Sequence, residues 1–208
     1  MEVVIATRNP KKAEEIRRVL EGAALSILTL DDFPGCPDVE EGGEGFEANA
    51  LRKAVVVSRH TGKAALADDS GLEVEALGGA PGVFSARYAG AAADDRENLE
   101  KLLREMRAVP AGRRGARYVC ALALAFPDGG TATFLGTVEG RIGTEPRGSR
   151  GFGYDPVFYP EGHDRTFSEM RDAEKDALSH RGRALRELAR FLGGCGPVER
   201  PGEALKRG

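Results

Sequence analysis

The sequence predicts an α/β or α+β protein built around a mixed sheet that is flanked by helices. Helical and extended patterns alternate through the first half of the chain, and a hairpin pattern appears in the second half. Alternating strands and helices favour parallel strand pairs, whereas a hairpin adds an antiparallel pair. The chain has 208 residues, 41% of them hydrophobic, and a chain of this length can bury a full core without a disulfide or a structural metal. We expect residues 1–192 to form a single domain.

A strand, a turn and a helix open the chain. Val3–Ala6 is a short β-branched run, and apolar residues recur at helical spacing over Lys11–Glu21. Asn9 is a favoured N-cap residue, and Pro10 suits the first helical position because the N–H that it lacks has no partner there. The sequence therefore specifies where this helix begins.

Helical and extended patterns continue through the middle of the chain. A second helix is predicted over Phe46–His60 and a third over Asp94–Val109, where an Asp and a Glu three residues later form a capping-box sequence. Between these two helices, the apolar strand Ala64–Ala67 ends at the polar residues that follow it. Strands and helices therefore alternate up to the start of the second half.

The second half begins with a hairpin. Tyr118–Phe126 and Thr131–Glu139 are extended patterns on either side of a Pro-Asp-Gly-Gly connection. A glycine-rich loop follows over Gly148–Asp155, and Ser179 is placed to cap a last helix. Residues 193–208 have no apolar period and are expected to form a flexible tail.

Composition and charge exclude several classes of protein. Lys and Arg number 30 and Asp and Glu 33, for a net charge of -3, so there is no electrostatic reason to expect nucleic acid or an anionic membrane as partner. Cys36, Cys120 and Cys195 are far apart and form no C-x-x-C pair, which argues against a disulfide framework and a structural zinc site. The N-terminal apolar run is too short for a signal peptide or a membrane span. We expect a cytoplasmic protein.

The first candidate site is the loop that precedes the first helix. It consists of Thr7, Arg8, Asn9, Pro10, Lys11 and Lys12. Its cations lie where the helix dipole is already positive and disfavours further positive charge. A bound anion would remove this conflict, and free backbone N–H groups, polar side chains and ammonium groups suit phosphate oxygens. The alternative is a pair of exposed cations on a solvated first turn. The loop is not a P-loop, because no G-x-x-x-x-G-K-[ST] sequence occurs.

The second candidate site contains the adjacent carboxylates Asp68 and Asp69 at the predicted end of the apolar strand. Such neighbours repel each other unless a cation or a set of hydrogen-bond donors lies between them. Mg²⁺ binds one or two carboxylates together with phosphate oxygens and water, so these residues predict a Mg²⁺ site. Glu40 and Glu41, in an acidic glycine-rich loop, could add a ligand. The alternative for Asp68 and Asp69 is a turn in which one aspartate caps the next segment. The alternative for Glu40 and Glu41 is a solvated acidic loop.

The third candidate site lies near the C-terminus. Its members are Phe152, Gly153, Tyr154, Asp155, Lys175, His180 and Arg181. An aromatic ring between two glycines can stack on a nucleotide base, and His180 and Arg181 offer donors to a carbonyl or a phosphate. The alternatives are core packing for the two aromatic residues and surface charge for the His-Arg pair. A phosphate loop, a carboxylate pair and an aromatic pocket together describe a nucleotide bound with Mg²⁺, which favours hydrolysis by metal-activated water over covalent catalysis.

Four blocks of the sequence resemble the inosine triphosphate pyrophosphatases, a family that removes non-standard purine nucleotides such as dITP, ITP and XTP. The blocks are Ala6–Lys12, residues 67–88 with ADDSGL, GGAPG and SARY, Gly151–Pro156, and Ser179–Gly182. They run in the family's order over about residues 1–192. The resemblance implies an elongated, two-lobed α/β domain with a long central mixed sheet and a nucleotide cleft between the lobes. It also implies a homodimer that cleaves a nucleoside triphosphate to the monophosphate and pyrophosphate.

The resemblance implies roles for individual residues. Thr7 to Lys12 would hold the triphosphate, and Asp69 would be the general base or the metal ligand that activates water for attack on the α-phosphorus. Lys12 would also be catalytic. The other Mg²⁺ ligands would come from Asp68, Glu40 and Glu41. The nucleotide would be contacted by Ser70, Phe152, Gly153, Tyr154, Asp155, Lys175, His180 and Arg181, with added charge from Lys53.

The chemistry of the base suggests a reason for selectivity. Hypoxanthine and xanthine present a carbonyl at C6, to which His180 or Arg181 can donate, whereas the amino group of adenine would leave a buried donor unsatisfied. Two alternative functions remain open from the sequence. One is a pyrophosphatase of similar fold that acts on modified pyrimidine nucleotides or dTTP, and the other is a nucleotide sensor without turnover.

Overall fold

The computed structural model describes residues 1–195. Its strands are β1 Glu2–Ile5, β2 Ser26–Thr29, β3 Ala64–Val74, β4 Gly115–Ala125, β5 Thr131–Ile142 and β6 Phe158–Pro160. Its α-helices, over the described residues, are α1 Pro10–Val19, α2 Phe46–Thr61, α3 Asp95–Glu105, α4 Asp172–Leu178 and α5 His180–Arg190. The strands form one six-stranded sheet in the order β2-β1-β3-β4-β5-β6. β1 is parallel to β2 and β3, whereas β6 is antiparallel to β5, which confirms the predicted mixed sheet.

Local capping places the helix starts where the sequence predicts them. The Asn9 side chain accepts hydrogen bonds from the backbone N–H groups of Lys11 and Lys12, at 3.0 and 3.2 Å. At the start of α3, Asp94 and Glu97 form the predicted capping box, in which each side chain accepts the other residue's backbone N–H. The helix ends are less well predicted, because α1 and α3 stop two and four residues earlier than the apolar pattern suggests.

The strand that contains Asp68 and Asp69 does not end where the sequence predicts. β3 continues to Val74, so both carboxylates lie inside a strand and not at its C-terminal end. β3 lies between β1 and β4 in the sheet, and both aspartates are buried. Charged residues in a central strand are tolerated when other side chains compensate their charge, and lysines from two helices do so here, as described below.

Three short elements were not predicted. β2, β6 and α4 have four, three and seven residues, and segments this short show little periodicity. β1 is as short as β2, but its β-branched residues indicated a strand. The predicted hairpin is present as β4 and β5, which are neighbours in the sheet, and the Phe126 N–H donates to the Gly130 carbonyl across the turn at 2.8 Å. Ser179 caps α5 as predicted, because its Oγ accepts the Gly182 N–H at 3.1 Å.

The chain divides into two compact units. Over the described residues, unit 1 comprises Met1–Asp69, Ala121–Leu135 and residues 184–195, and unit 2 comprises Ser70–Cys120 and Gly136–Arg183. The hydrophobic core of unit 2 contains Leu102, Met106, Tyr118, Phe158 and Phe167 among others. Of the predicted tail, residues 196–208 lie outside the described residues. Within residues 1–195, no helix has the length and apolar character needed to cross a membrane.

Candidate functional site

The loop before α1 presents the start of a helix together with polar side chains. Thr7 Oγ1 accepts the Asn9 N–H at 3.1 Å, and Asn9 in turn caps the first turn of α1. The Arg8 side chain is directed to the loop after β2. Its Nε lies 2.5 Å from an Asp38 carboxylate oxygen, and its Nη2 donates to the Cys36 carbonyl at 3.0 Å. The charge of Arg8 is therefore partly satisfied by the following loop, and Lys12 is the cation that α1 directs towards the sheet.

Lys12 forms an ion pair with Asp68 on β3. The Lys12 Nζ lies 2.5 Å from Asp68 Oδ1, and the two side chains are 16% and 0% exposed. A fully buried carboxylate requires such a partner, because an isolated buried charge costs several kcal/mol. This pair explains how a strand can continue through Asp68, and it places the ammonium group of a residue in the first turn of α1 beside β3.

Asp69 meets a second lysine, which comes from α2. The Lys53 Nζ lies 2.8 Å from Glu41 Oε1 and 3.4 Å from Asp69 Oδ1, and it donates to the Asp68 carbonyl at 2.9 Å. Lys53 and Asp69 are both largely buried. Two carboxylates thus converge on one ammonium group in unit 1.

The pKa values of Asp69 and Lys53 are both raised, but for different reasons. Burial raises the pKa of Asp69, while the ammonium groups of Lys53 and Lys12 and the hydrogen bond from Asn49 oppose that rise only in part. Burial lowers the pKa of Lys53, but the carboxylates of Asp69 and Glu41 outweigh it, so that the pKa of Lys53 is raised. Lys53 is therefore held as a cation, and Asp69 is a stronger proton acceptor than an ordinary aspartate.

The donor set of this cluster fits a divalent cation that also binds phosphate. Within the described residues no three His, Cys, Asp or Glu side chains are grouped so that they could hold a metal ion alone. Mg²⁺ needs only one or two carboxylates when phosphate oxygens and water complete its shell. Glu41 and Asp69 provide two carboxylates that already converge on a cation. Glu40 is exposed, and its contact with α2 is through its backbone carbonyl, which accepts from Arg52.

In unit 2, Asp155 organises the third candidate site. Its Oδ2 lies 2.6 Å from the Lys175 Nζ and accepts the Phe152 N–H at 2.9 Å. The Tyr118 hydroxyl lies 3.4 Å from Asp155 Oδ1. Burial and the nearby Asp155 charge raise the pKa of Tyr118 well above its ordinary value, so this hydroxyl keeps its proton and can donate it.

The Phe152 ring is half-buried and is flanked by two cations. The Lys175 Nζ is 4.9 Å and the Arg181 guanidinium carbon 5.6 Å from the centre of this ring. Arg181 is buried, and its Nη2 donates to Ser70 Oγ at 2.8 Å. The His180 ring stacks on Tyr118 with centres 4.5 Å apart and planes 4° from parallel. Phe152, Lys175 and Arg181 therefore lie together, whereas His180 contacts the ring of Tyr118.

The glycines around Phe152 have a geometric role. Gly151 has a φ of +73°, and a Cβ on this residue would lie 2.2 Å from Asp155 Oδ2. The Gly153 N–H donates to Asp95 Oδ2 at 3.0 Å. Tyr154 is different, because it belongs to the hydrophobic core and its hydroxyl donates to the Ser85 carbonyl. For Tyr154, the core-packing alternative describes the structure.

Two polar residues of these sites were missed in the sequence. Asn49 on α2 donates to Asp69 Oδ2 at 2.9 Å, and Tyr118 on β4 lies beside both Asp155 and His180. Asn49 and Lys53 are four residues apart and so lie on the same face of α2, which is a signal that the sequence does contain. Tyr118 carries no such signal, because an aromatic residue in a strand ordinarily belongs to the core.

The mixed sheet, with lysine–carboxylate pairs next to the start of a helix, defines an α/β protein with a site suited to phosphate oxygens. The chain belongs to the Ham1 family, whose sequence profile matches residues 3–191. The family resemblance read from the four sequence blocks is thereby confirmed.

Relatives and solved structures agree with this assignment. A dITP/XTP pyrophosphatase of Bacillus licheniformis is 48% identical over 191 residues, which cover 92% of this chain and 97% of the relative. A dITP/XTP pyrophosphatase of Geobacter sulfurreducens is 50% identical over 191 residues, which cover 92% of this chain and 96% of the relative. The structure of a HAM1 protein from Coxiella burnetii is similar with a TM-score of 0.84 and 42% identity, covering 93% of this chain and 98% of that one. The crystal structure of a nucleoside-triphosphatase / dITP/XTP pyrophosphatase from Mycobacterium abscessus is similar with a TM-score of 0.75 and 48% identity. The match covers 90% of this chain and 98% of that one.

Proposed function

We propose that this chain hydrolyses the non-standard purine nucleoside triphosphates dITP, ITP and XTP to the monophosphate and pyrophosphate. The observation that carries the proposal is a set of three partly buried lysine–carboxylate contacts: Lys12 with Asp68, and Lys53 with both Glu41 and Asp69. These contacts occur in a chain that is about half identical to dITP/XTP pyrophosphatases. They supply cations for a polyphosphate and carboxylates for a divalent cation and for a proton.

The triphosphate is assigned to the start of α1. Backbone N–H groups at a helix N-terminus and the helix dipole favour phosphate oxygens. Thr7 and Asn9 shape this turn through their hydrogen bonds, and Lys12 contributes an ammonium that the chain already holds near the sheet. Lys53 adds a second positive charge. Pro10 and Lys11 complete the loop, and Arg8 is the member whose side chain is directed to Asp38 instead.

The reaction is a displacement at the α-phosphorus. A water oxygen forms a bond to this phosphorus, the bond to the bridging oxygen of the β-phosphate breaks, and pyrophosphate leaves. Asp69 is the residue of this cluster assigned to the water, either as the acceptor of its proton or as the metal ligand that positions it. Lys12 stabilises the charge that develops on the phosphate oxygens.

We infer that Mg²⁺ is the cofactor and that Glu41 and Asp69 hold it, with Asp68 paired to Lys12. When bound, Mg²⁺ would neutralise phosphate charge and lower the pKa of a coordinated water. Glu41 is favoured over Glu40 because its carboxylate shares the Lys53 ammonium with Asp69. The carboxylate of Glu40 is exposed.

The base is assigned to the half-buried ring of Phe152. Stacking on an aromatic ring accepts any base, so selectivity requires hydrogen bonds at the base edge. Arg181, whose guanidinium carbon is 5.6 Å from the centre of the Phe152 ring, and the buried His180, which stacks on Tyr118, are the proposed donors. A C6 carbonyl satisfies such donors, whereas the amino group of adenine does not. Lys175 and Asp155 hold the Phe152 segment in place.

We also infer that the working enzyme is a cytoplasmic homodimer whose catalytic domain spans residues 1–192. The family resemblance supports the dimer, and the family match over residues 3–191 supports the domain. A chain ending after Cys195 is expected to keep full activity. For the full chain of 22.2 kDa, light scattering during size-exclusion chromatography is expected to give twice this mass.

A substrate panel tests the proposed reaction. ITP, dITP, XTP, GTP, ATP and dTTP are supplied at equal concentration with Mg²⁺ or with EDTA, and products are separated by chromatography. We expect ITP, dITP and XTP to yield monophosphate and pyrophosphate with Mg²⁺ only, and GTP and ATP to react much more slowly. The Asp69→Asn variant, which keeps the size of the side chain, is expected to lose at least about 100-fold in rate. Preference for dTTP, release of orthophosphate, or absence of turnover would contradict the proposal.

A further inference from the structure

Asn49 is a buried polar residue whose amide is fully used. It lies on α2 and is 1% exposed. Its Oδ1 accepts the Gly42 N–H at 2.9 Å, and its Nδ2 donates to the Gly42 carbonyl at 3.0 Å and to Asp69 Oδ2 at 2.9 Å. A buried amide costs free energy unless its donors and acceptor are satisfied, and here one acceptor contact and two donor contacts are made.

The paired contact with Gly42 fixes a loop that has no regular secondary structure. Residues 36–45 form neither helix nor strand. A side-chain amide can bond both the N–H and the C=O of one backbone residue, as a neighbouring strand would, because it carries a donor and an acceptor side by side. Gly42 directly follows Glu41 in the chain. The Asn49 amide therefore holds the backbone immediately next to Glu41.

The third contact ties the same amide to Asp69. Asn49 Nδ2 approaches one oxygen of the Asp69 carboxylate, while the Lys53 ammonium approaches the other. Asn49 and Lys53 lie one helical turn apart on the same face of α2. Lys53 also binds Glu41 at 2.8 Å. One face of α2 therefore holds both the Glu41 loop and the Asp69 carboxylate.

We propose that Asn49 is a positioning residue that sets the spacing of the Glu41 and Asp69 carboxylates by joining Gly42 to Asp69. The inference rests on the proposed function, in which these two carboxylates bind the divalent cation. In this proposal Asn49 acts on the cation only through its contacts with Gly42 and Asp69. Groups that orient metal ligands in this way commonly change metal affinity or activity by about 10- to 100-fold when they are removed.

The test compares Asn49→Leu and Asn49→Ala with a matched control on the same helix. Leu fills a similar volume without any of the three contacts, and Ala favours the helix if Leu is too large. The control is Ser58→Ala, because Ser58 is also 1% exposed and donates one buried hydrogen bond, to the Lys63 carbonyl at 2.8 Å. This contact has no connection to Asp69, so the control reports the cost of losing a buried hydrogen bond on α2.

Two measurements separate positioning from a general structural role. The first is hydrogen exchange of the Gly42 amide in the metal-free protein, followed by NMR, which does not depend on activity. The second is the Mg²⁺ concentration for half-maximal ITP hydrolysis, measured together with kcat and KM. We expect both Asn49 variants to lose Gly42 protection and to need about tenfold more Mg²⁺, with kcat reduced more than the KM for ITP changes. Ser58→Ala is expected to lower the melting temperature and to leave the Gly42 amide and the Mg²⁺ requirement unchanged.

The outcomes distinguish this inference from the proposed function. Unchanged Gly42 exchange in folded Asn49→Leu or Asn49→Ala protein would overturn the inference, and so would an equal shift in Mg²⁺ requirement for Ser58→Ala. If the wild-type protein hydrolyses none of the nucleotides, the proposed function fails. In that case the Gly42 amide alone still decides whether Asn49 holds the loop.

Discussion

Lys175 and Asp155 form an ion pair that is almost completely buried, with the Lys175 Nζ 2.6 Å from Asp155 Oδ2 and side chains 6% and 3% exposed. The same carboxylate oxygen accepts the Phe152 N–H. One buried carboxylate therefore holds both a cation and the backbone of the proposed base platform. Because α4 carries the lysine and the glycine-rich loop carries the carboxylate, the pair fixes this loop to the helix.

Asp155→Asn tests this pair. The variant keeps an oxygen that can accept the Phe152 N–H, but it leaves the Lys175 charge without its carboxylate. Removing one partner of a buried pair costs about 3–5 kcal/mol, so we expect a fall of about this size in the free energy of unfolding and a raised KM for ITP. Urea unfolding and steady-state kinetics measure the two effects. Asp164→Asn, at an exposed position, is the control, and equal stability of the two variants would contradict the role of the pair.

Lys12→Met removes a cation from the proposed phosphate site and a partner from Asp68. We expect kcat/KM for ITP to fall by about 100-fold or more, because a group that stabilises developing charge is lost. The free energy of unfolding should fall as well, since the Asp68 side chain is 0% exposed and would be left uncompensated. Lys63→Met is the matched control, because Lys63 also forms a lysine–carboxylate pair in unit 1, with Glu2 at 2.5 Å, at a more exposed position. A kcat/KM loss of the same size in both variants would show that Lys12 has no specific role.

Phe152→Ala tests the base platform. Stacking of a base on an aromatic ring is worth about 1–3 kcal/mol, so the KM for ITP should rise by about tenfold or more while kcat changes less. Phe152→Tyr retains the ring and is expected to stay close to the wild type. Initial-rate kinetics on both variants check this, and an unchanged KM in Phe152→Ala would place the base elsewhere.

Glu174→Gln tests the cap of α4, the helix that carries Lys175. Glu174 accepts the backbone N–H of Arg171 at 2.9 Å and bonds Arg165 at 3.0 Å. The backbone hydrogen bond and the two arginines lower the pKa of Glu174 from 4.5 to about 2. A lowered pKa stabilises the folded protein above the unfolded-state pKa, and this stabilisation is lost as pH falls through the folded-state pKa.

The variant should therefore melt at a lower temperature than the wild type at pH 7, and the difference should shrink as pH falls from about 4.5 towards 2. Thermal unfolding followed by circular dichroism at several pH values measures this. Glu187→Gln, which removes an exposed ion pair with Arg190 on α5, is the control and is expected to change little. A difference between Glu174→Gln and wild type that is constant with pH would show that the charge of Glu174 contributes nothing.

Local hydrogen bonds explain which parts of the fold were predictable. The Asn9 cap and the Asp94–Glu97 box involve residues two or three positions apart, so the sequence pattern contains both partners. The end of β3 was wrong for the opposite reason. Asp68 and Asp69 lie within a central strand, where Lys12 and Lys53 compensate their charges, and these lysines are 56 and 16 residues away along the chain.

The sequence by itself determined the α/β class, the family, the helix starts and the residue types suited to phosphate, metal and base. Only the tertiary structure decided which partner each of these residues has: Lys12 with Asp68, Lys53 with Glu41 and Asp69, Arg8 with Asp38, and Tyr154 with the core. It also revealed Asn49 as the link between the Glu41 loop and Asp69. The physical reason is the separation along the chain over which each kind of interaction acts. Capping and periodicity act over a few residues, whereas ion pairs and buried amides depend on distances that exist only after helices pack on the sheet.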